Sequence, residues 1–309
     1  MRETCLDQVY ELAKKDPRVV FIGSDLGVGT LRKFKEEMPE RFYMEGISEA
    51  HCVGMAAGMA LEGHIVYVNT ISTFLTRRCF EQVAVDLCLH NLDVRLIGNG
   101  GGLVYAPLGP THLAIEDISI FRALPNMAIV AVADAEEMKR LMPQTVDHRG
   151  PIYIRLAKGY DPVVTDDSVP FRIGKGLPTR RGKDVLLVTT GITLKVAQDS
   201  AQKLGGEGVD CAILHMPTIK PFDLELFLDL ARPVRVVVPI EENTIIGGLG
   251  SAVAEAVAEA GYSPGKKFKR IGIPDVFPDR YGSQANLMDY HHINAEQVTS
   301  TVRTLLARS

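Results

Sequence analysis

Glu49 stands at the head of a run of small and apolar residues, HCVGMAAGMALEG. A carboxylate carried into such surroundings costs free energy unless it is paired or protonated. At the start of a helix it also gains from the positive end of the helix dipole. The residues alone leave both readings open. Glu45, one turn earlier, either shares that face or lies on the preceding strand. His112 follows Pro110-Thr111 and precedes IEDI, which reads first as a helix-entry position, with Thr111 as a candidate cap. Arg155 ends the apolar stretch PIYIRLA. An arginine there pairs with a buried acid or awaits an anion, and its surroundings lean toward the ion pair.

Other chemistries lack their residues. The segment GVGTLR misses the third glycine of a dinucleotide fingerprint, and no phosphate loop ending in Gly-Lys-Ser/Thr occurs. HExxH and GxSxG are absent, so neither zinc proteolysis nor serine hydrolysis has support. The five cysteines, Cys5, Cys52, Cys79, Cys88 and Cys211, have no metal-ligand or redox spacing. Buried, reduced thiols in a cytoplasmic protein are expected. A net charge of −4 over 309 residues argues against a nucleic-acid partner. No apolar run reaches membrane-spanning length. The charged N-terminus, MRETCLDQVYELAKK, predicts an amphipathic helix rather than a signal peptide.

The elements that must position these residues alternate. RVVFIGSD, HIVYVNTIS, DVRLIGNGGG, MAIVAVA and PIYIRLA read as strands. Helices are expected over ISEAHCVGMAAGMALEG, TRRCFEQVAVDLCLH, THLAIEDISIFRAL and AEEMKRLMPQTVDH. Such alternation predicts an α/β fold with mostly parallel sheets. The small residues of the Glu49 helix let other backbones approach closely, so it is expected at a domain or subunit contact. Residues 161 to 183 carry Pro, Gly and charge without periodicity. The expected division is therefore a first domain over 1–165, a linker over 166–182 and a smaller α/β domain over 183–309. Ligands of open α/β sheets bind where strands end. Ser24 to Thr30, Gly98 to Gly102 and Pro110 to His112 are such junctions.

RFYMEGISEAHCVGMAAGMALEG, STFLTRRCFEQV, GPTHLAIEDISIFRALPN and EENTIIGGLGSAVAE follow one another in this order. Together they resemble the transketolase and deoxyxylulose-phosphate synthase superfamily, over essentially the whole chain. The resemblance implies a pyrimidine-binding domain followed by a transketolase C-terminal domain. It implies thiamine diphosphate as cofactor, with Mg²⁺ and the diphosphate held by a preceding domain that carries Gly-Asp-Gly and an Asn. Neither Gly-Asp-Gly nor an Asn-Asn pair occurs here. A partner chain is expected to supply them, in an α2β2 assembly acting on sugar or sugar-phosphate substrates.

Glu49 matches the glutamate that hydrogen-bonds a pyrimidine nitrogen, favouring the tautomer that activates the thiazolium carbon. A buried acid with a raised pKa would suit that role. Phe74 matches the aromatic against the pyrimidine, and His112 a histidine of the substrate channel. Arg155 and Arg2 match arginines that hold a substrate phosphate. Asp25 matches an acid near the cofactor at the subunit contact, and Arg77 and Ile71 fall where the cofactor is flanked.

Four positions depart from the pattern. Leu108 replaces an acid that meets the acceptor's hydroxyl, and Gly100 stands where a second substrate histidine is expected. Ile71 replaces an aromatic, and Glu45 an uncharged residue. These departures bear on substrate more than on chemistry. The leading expectation is transfer of a two-carbon ketol unit from a ketose to an aldose. The alternatives are the beta subunit of a 2-oxoacid dehydrogenase, an enzyme like deoxyxylulose-phosphate synthase, and a non-catalytic regulatory or binding subunit.

Overall fold

A computed structural model describes residues 1–24, 29, 31–157 and 161–307. Six parallel strands come first: β1 (Val19–Gly23), β2 (Phe42–Met44), β3 (Ile65–Ile71), β4 (Val94–Asn99), β5 (Ala128–Ala131) and β6 (Ile152–Leu156). Seven more follow: β7 (Leu177–Arg180), β8 (Val185–Thr189), β9 (Cys211–His215), β10 (Thr218–Lys220), β11 (Val236–Thr244), β12 (Lys267–Phe268) and β13 (Ile271–Ile273). The first sheet runs β10-β5-β6-β4-β3-β1-β2, and only β10 is antiparallel. The second runs β12-β11-β8-β9-β7, with β13 beside β11 and β7 antiparallel at the edge. The expected α/β class with mostly parallel sheets is what forms.

Strands such as VVFIG, VRLIGN and VLLVT are buried along their whole length. Helices cover both faces, which is why these strands read as continuous apolar runs rather than alternating ones. On one face of the first sheet, Cys5, Leu6, Val9 and Leu12 of the N-terminal helix meet Met138, Leu141 and Met142. Their spacing is that of one helical stripe. On the other face, Cys52, Val53, Ala56 and Ala57 of the Glu49–Leu61 helix pack with Leu75, Val83 and Leu87. All five cysteines are buried and free.

Three expectations need correction. Leu177–Arg180, inside the expected linker, forms an edge strand through its pairing with His215 to Ile213. Thr218–Lys220, inside the expected second domain, completes the first sheet against β5. The two halves are therefore interleaved by strand exchange, which composition cannot show. Finally, the helix expected from Thr111 begins only at Asp117. The backbones of Gly102 and Ala114 bond reciprocally at 2.9 and 3.1 Å, so this segment pairs with the glycine loop instead of coiling.

The contact between the halves is buried and polar. Arg155 Nε donates to Asp117 at 2.8 Å, and its Nη2 donates to the carbonyls of Glu242 and Ala114. His215 meets Glu137 at 3.1 Å and Thr189 at 3.1 Å, all three fully buried.

Candidate active site at the strand ends

The carboxyl ends of β1, β3 and β4 converge on a polar floor. Ser24 Oγ donates to Thr70 at 2.9 Å. Asn99 Nδ2 donates to Asn69 Oδ1 at 2.6 Å and to the Thr70 carbonyl at 3.0 Å. From this floor rise the first turn of the Glu49 helix, the short helix Ser72–Arg77, and the segment carrying His112.

Glu49 is the first residue of its helix and only 4% exposed. Both its oxygens accept from Arg78 Nη1, at 2.9 and 3.1 Å. The Arg78 guanidinium lies 3.9 Å from the centre of the Phe74 ring. Phe74 in turn meets the edge of the His112 imidazole at 5.1 Å. Glu49, Phe74 and His112, separated widely in sequence, thus belong to one connected cluster, joined by Arg78. Nothing in the resemblance singled out Arg78. Its signal was the spacing: Phe74 and Arg78 stand four residues apart, one helical turn, so their side chains share a face.

Arg77, expected at the cofactor, is engaged by neighbours within the chain. It pairs with Glu116 and donates to the Leu113 carbonyl at 3.1 Å, tying its helix to the His112 segment. Ile71 is half-buried at the end of β3, beside the cluster. Glu45 stands 3.7 Å from His51 on the next turn, which gives this additional acid a partner. Leu108 is half exposed on a single helical turn. Arg2 is exposed at the start of the N-terminal helix, whose Met1 sulfur accepts from Ala157 N–H at the end of β6. Asp25 lies outside the described residues.

Arg155 requires a correction. Three hydrogen bonds and burial commit its guanidinium to Asp117 and to the second half of the chain, so it is a structural cation and not a free anion receptor. Tyr153 donates to the same Asp117 oxygen at 2.6 Å. Burial, then the Asp117 charge, holds the Tyr153 phenol well above its ordinary range, so it remains a neutral donor.

The glycine loop after β4 packs over this pair. Gly100 has φ +72°, and a β-carbon there would fall 2.1 Å from the Tyr105 ring. Tyr105 thus fills the space that a histidine at position 100 would require. Gly102, at φ +65°, would press on Glu242 at 2.5 Å. Glu242 accepts from Leu103 N–H and Gln284 Nε2, both at 2.8 Å. Glu241 accepts from Leu249 and Gly250 N–H at the head of the next helix. Burial pushes both glutamates up to about 7. Burial also raises the Cys79 thiol to about 12, with the neighbouring Glu49 charge adding to it, so that thiol is unreactive.

Residues 1–160 match the transketolase pyrimidine-binding domain and residues 174–298 the transketolase C-terminal domain. The chain belongs to the transketolase family. A 6-deoxy-6-sulfo-D-fructose transketolase subunit, SqwH, of a Clostridium species is 34% identical over 94% of this chain and 88% of its own length. A 1-deoxy-D-xylulose-5-phosphate synthase of Geobacter metallireducens is 36% identical over 97% of this chain, which spans only 48% of that protein. A solved structure of a split-gene transketolase, described as an inactive beta4 tetramer, superposes with a TM-score of 0.90. It is 33% identical, covering 99% of this chain and 97% of that one. This family chain therefore has relatives among the separately encoded subunits as well as among the double-length enzymes.

The cluster sets a buried carboxylate beside an aromatic face, with the flat Arg78 guanidinium lying against both. Among the described residues, no group of three or more His, Cys, Asp or Glu side chains is placed to hold a metal ion.

Proposed function

We propose that this chain is the C-terminal subunit of a split, thiamine-diphosphate-dependent transketolase that moves a two-carbon ketol unit from a ketose to an aldose. The observation that carries the proposal is the Glu49 carboxylate, buried at a helix start and sharing one cluster with Phe74 and His112. When bound, the cofactor supplies a carbanion-type nucleophile for cleaving and forming carbon–carbon bonds. This chain's part is local. Glu49 holds the proton relation with the ring nitrogen, Phe74 orients the ring, and His112 lines the way in with a hydrogen-bonding ring nitrogen. Ile71 contributes apolar flank.

Mg²⁺ and the diphosphate are assigned to a partner chain, in an α2β2 assembly in the cytoplasm. Exposed Ile47, Leu61, Val85 and Leu89 around the Glu49–Leu61 helix support burial of this face by another subunit. Leu108 in place of an acid cannot accept from an acceptor's hydroxyl, which favours an aldose recognised by other groups. Arg2 is the arginine left for a substrate phosphate, since Arg155 is committed. Asp25 is assigned to the subunit contact, and Arg77 supports the cofactor cluster through Glu116.

The test is Glu49→Gln in the reconstituted pair with Mg²⁺. Folding is expected to persist while turnover falls by about 10²–10⁴, the range for a positioned acid–base group. Unchanged turnover would remove Glu49 from the chemistry. The relative named as a deoxyxylulose-phosphate synthase favours one second reading, an enzyme of that type rather than a ketose-to-aldose transferase. Carbon dioxide release from pyruvate, without ketose turnover, would select it.

A further inference from the structure

We infer that Arg78 is an internal occupant of the ring cradle, standing where the cofactor's pyrimidine would lie and leaving when it enters. The inference rests on the reading of Glu49 and Phe74 above.

The guanidinium meets both demands of the cradle together. It donates to Glu49 at 2.9 and 3.1 Å, and it lies 3.9 Å from the Phe74 ring centre. A pyrimidine protonated at the nitrogen that faces Glu49 presents the same features: a flat π face, and an in-plane N–H where Arg78 Nη1 donates to both oxygens. The separation from Phe74 is one of van der Waals contact, so a second flat group cannot fit between them. Guanidinium and pyrimidine therefore compete for a single place.

The two partners are unequally free to leave. The Glu49 side chain is 4% exposed and anchored at the helix start, whereas Arg78 is 47% exposed. The acid stays and the arginine swings toward water. Arg77 cannot take over, because Glu116 and the Leu113 carbonyl hold it. Displacing a half-solvated ion pair stacked on an aromatic is a modest cost, so Arg78 gates the site without locking it.

Two consequences follow. The apparent dissociation constant equals the intrinsic one divided by the fraction of chains with the cradle open. With the arginine mostly seated, this is about a tenfold penalty on cofactor binding. The gate also selects. A ring that has no protonated nitrogen toward Glu49 cannot compensate for the lost guanidinium contact, so the cradle prefers rings with that N–H over isosteric rings without it.

The full-length chain with thiamine diphosphate as probe tests this by saturation-transfer NMR, which reads weak binding. Wild type, Arg78→Gln, Arg78→Lys and Glu49→Gln are compared, with circular dichroism confirming that each is folded. Arg78→Gln is expected to bind about tenfold more tightly than wild type. Arg78→Lys keeps the charge but not the plane, and is expected to fall between them. The probe is anionic, so loss of a positive charge alone would weaken binding; tightening can come only from the vacated place. In the wild type, ¹⁵N signals of the Arg78 guanidinium should shift toward those of solvated arginine as the probe is added.

If Arg78→Gln binds equally or more weakly while Glu49→Gln loses binding, the arginine inference falls and the cofactor reading stands. If Glu49→Gln binds as wild type does, the cofactor reading falls as well. Absence of binding by both wild type and Arg78→Gln also overturns the inference, since an opened cradle should then have become detectable.

Discussion

Two arginine–carboxylate pairs in this chain have nearly the same length and opposite character. Arg155 and Asp117 are 2.8 Å apart, with side chains 7% and 0% exposed. Arg78 and Glu49 are 2.9 Å apart, with side chains 47% and 4% exposed. In the first pair every partner belongs to the fold: Tyr153 shares the carboxylate, and Arg155 also reaches the carbonyls of Ala114 and Glu242. In the second, the arginine leans on an aromatic ring at the open end of a sheet. Contact distance does not distinguish structure from function here. Solvent access and the number of competing partners do.

The largest expected effect therefore lies at the closed pair. Asp117→Ala leaves the buried Arg155 guanidinium without its ion-pair partner, with only the Glu242 carboxyl nearby, and the Tyr153 hydroxyl without its acceptor. Breaking one side of a buried pair costs about 3–5 kcal/mol. Denaturant unfolding of the variant should show that loss, or the variant should fail to accumulate in soluble form. A cost below about 1 kcal/mol would place this pair in the same class as an exposed one and dissolve the contrast.

A smaller effect comes from the glutamate that meets the same junction. Glu242 is fully buried, and burial raises its carboxyl to about 7, with Arg155 and Gln284 drawing it back down. A carboxyl raised on folding contributes stability that is present below its unfolded value and is lost as pH rises through the folded one. The relevant window runs from about 4.5 to about 7. Wild type should therefore melt lower at pH 8 than at pH 5. Glu242→Gln keeps acceptors for Leu103 N–H and Gln284 while removing the titration. Its melting temperature should lose part of that dependence, on the order of 2–4 °C per kcal/mol removed. An identical pH dependence in the two proteins would exclude Glu242 as a contributor.

The same contrast explains what could be read from residues alone. Continuous apolar runs such as VVFIG and VLLVT made the parallel sheets legible, because burial on both faces leaves a mark in composition. One helix head was legible for a similar reason: Glu49 opens a run of small residues and begins its helix two residues after the expected start at Ile47. What escaped was long-range. The pairing of Thr218–Lys220 with β5, and of Leu177–Arg180 with β9, joins segments whose local sequence carries no sign of each other. The residues around Arg155 leave an ion pair and an anion site open, and the structure pairs it with an acid remote in sequence. Its acid, Asp117, sits 38 residues away. The resemblance points to Arg77, and its neighbour Arg78 carries no separate mark in the sequence beyond its spacing from Phe74. Only helical phase separates the arginine that faces Phe74 from the one that faces Glu116.

The smallest expected effect is the most discriminating. A double-mutant cycle over Glu49→Gln and Arg78→Gln should give a coupling to folding of about 0.2–1 kcal/mol, the range for exposed pairs, because the Arg78 side of the pair is open to water. Glu49→Gln leaves a guanidinium that can turn to solvent, so it strands no buried charge. Arg78→Gln leaves a carboxylate at a helix N-terminus, where the dipole still favours it. Neither variant should approach the cost of Asp117→Ala. Activity should respond in the opposite order, with the weakly coupled pair controlling turnover and cofactor affinity. A folding coupling above about 2 kcal/mol would make Glu49–Arg78 a second structural clasp. The acid would then be needed to hold the fold, and its availability to an incoming ring would be lost.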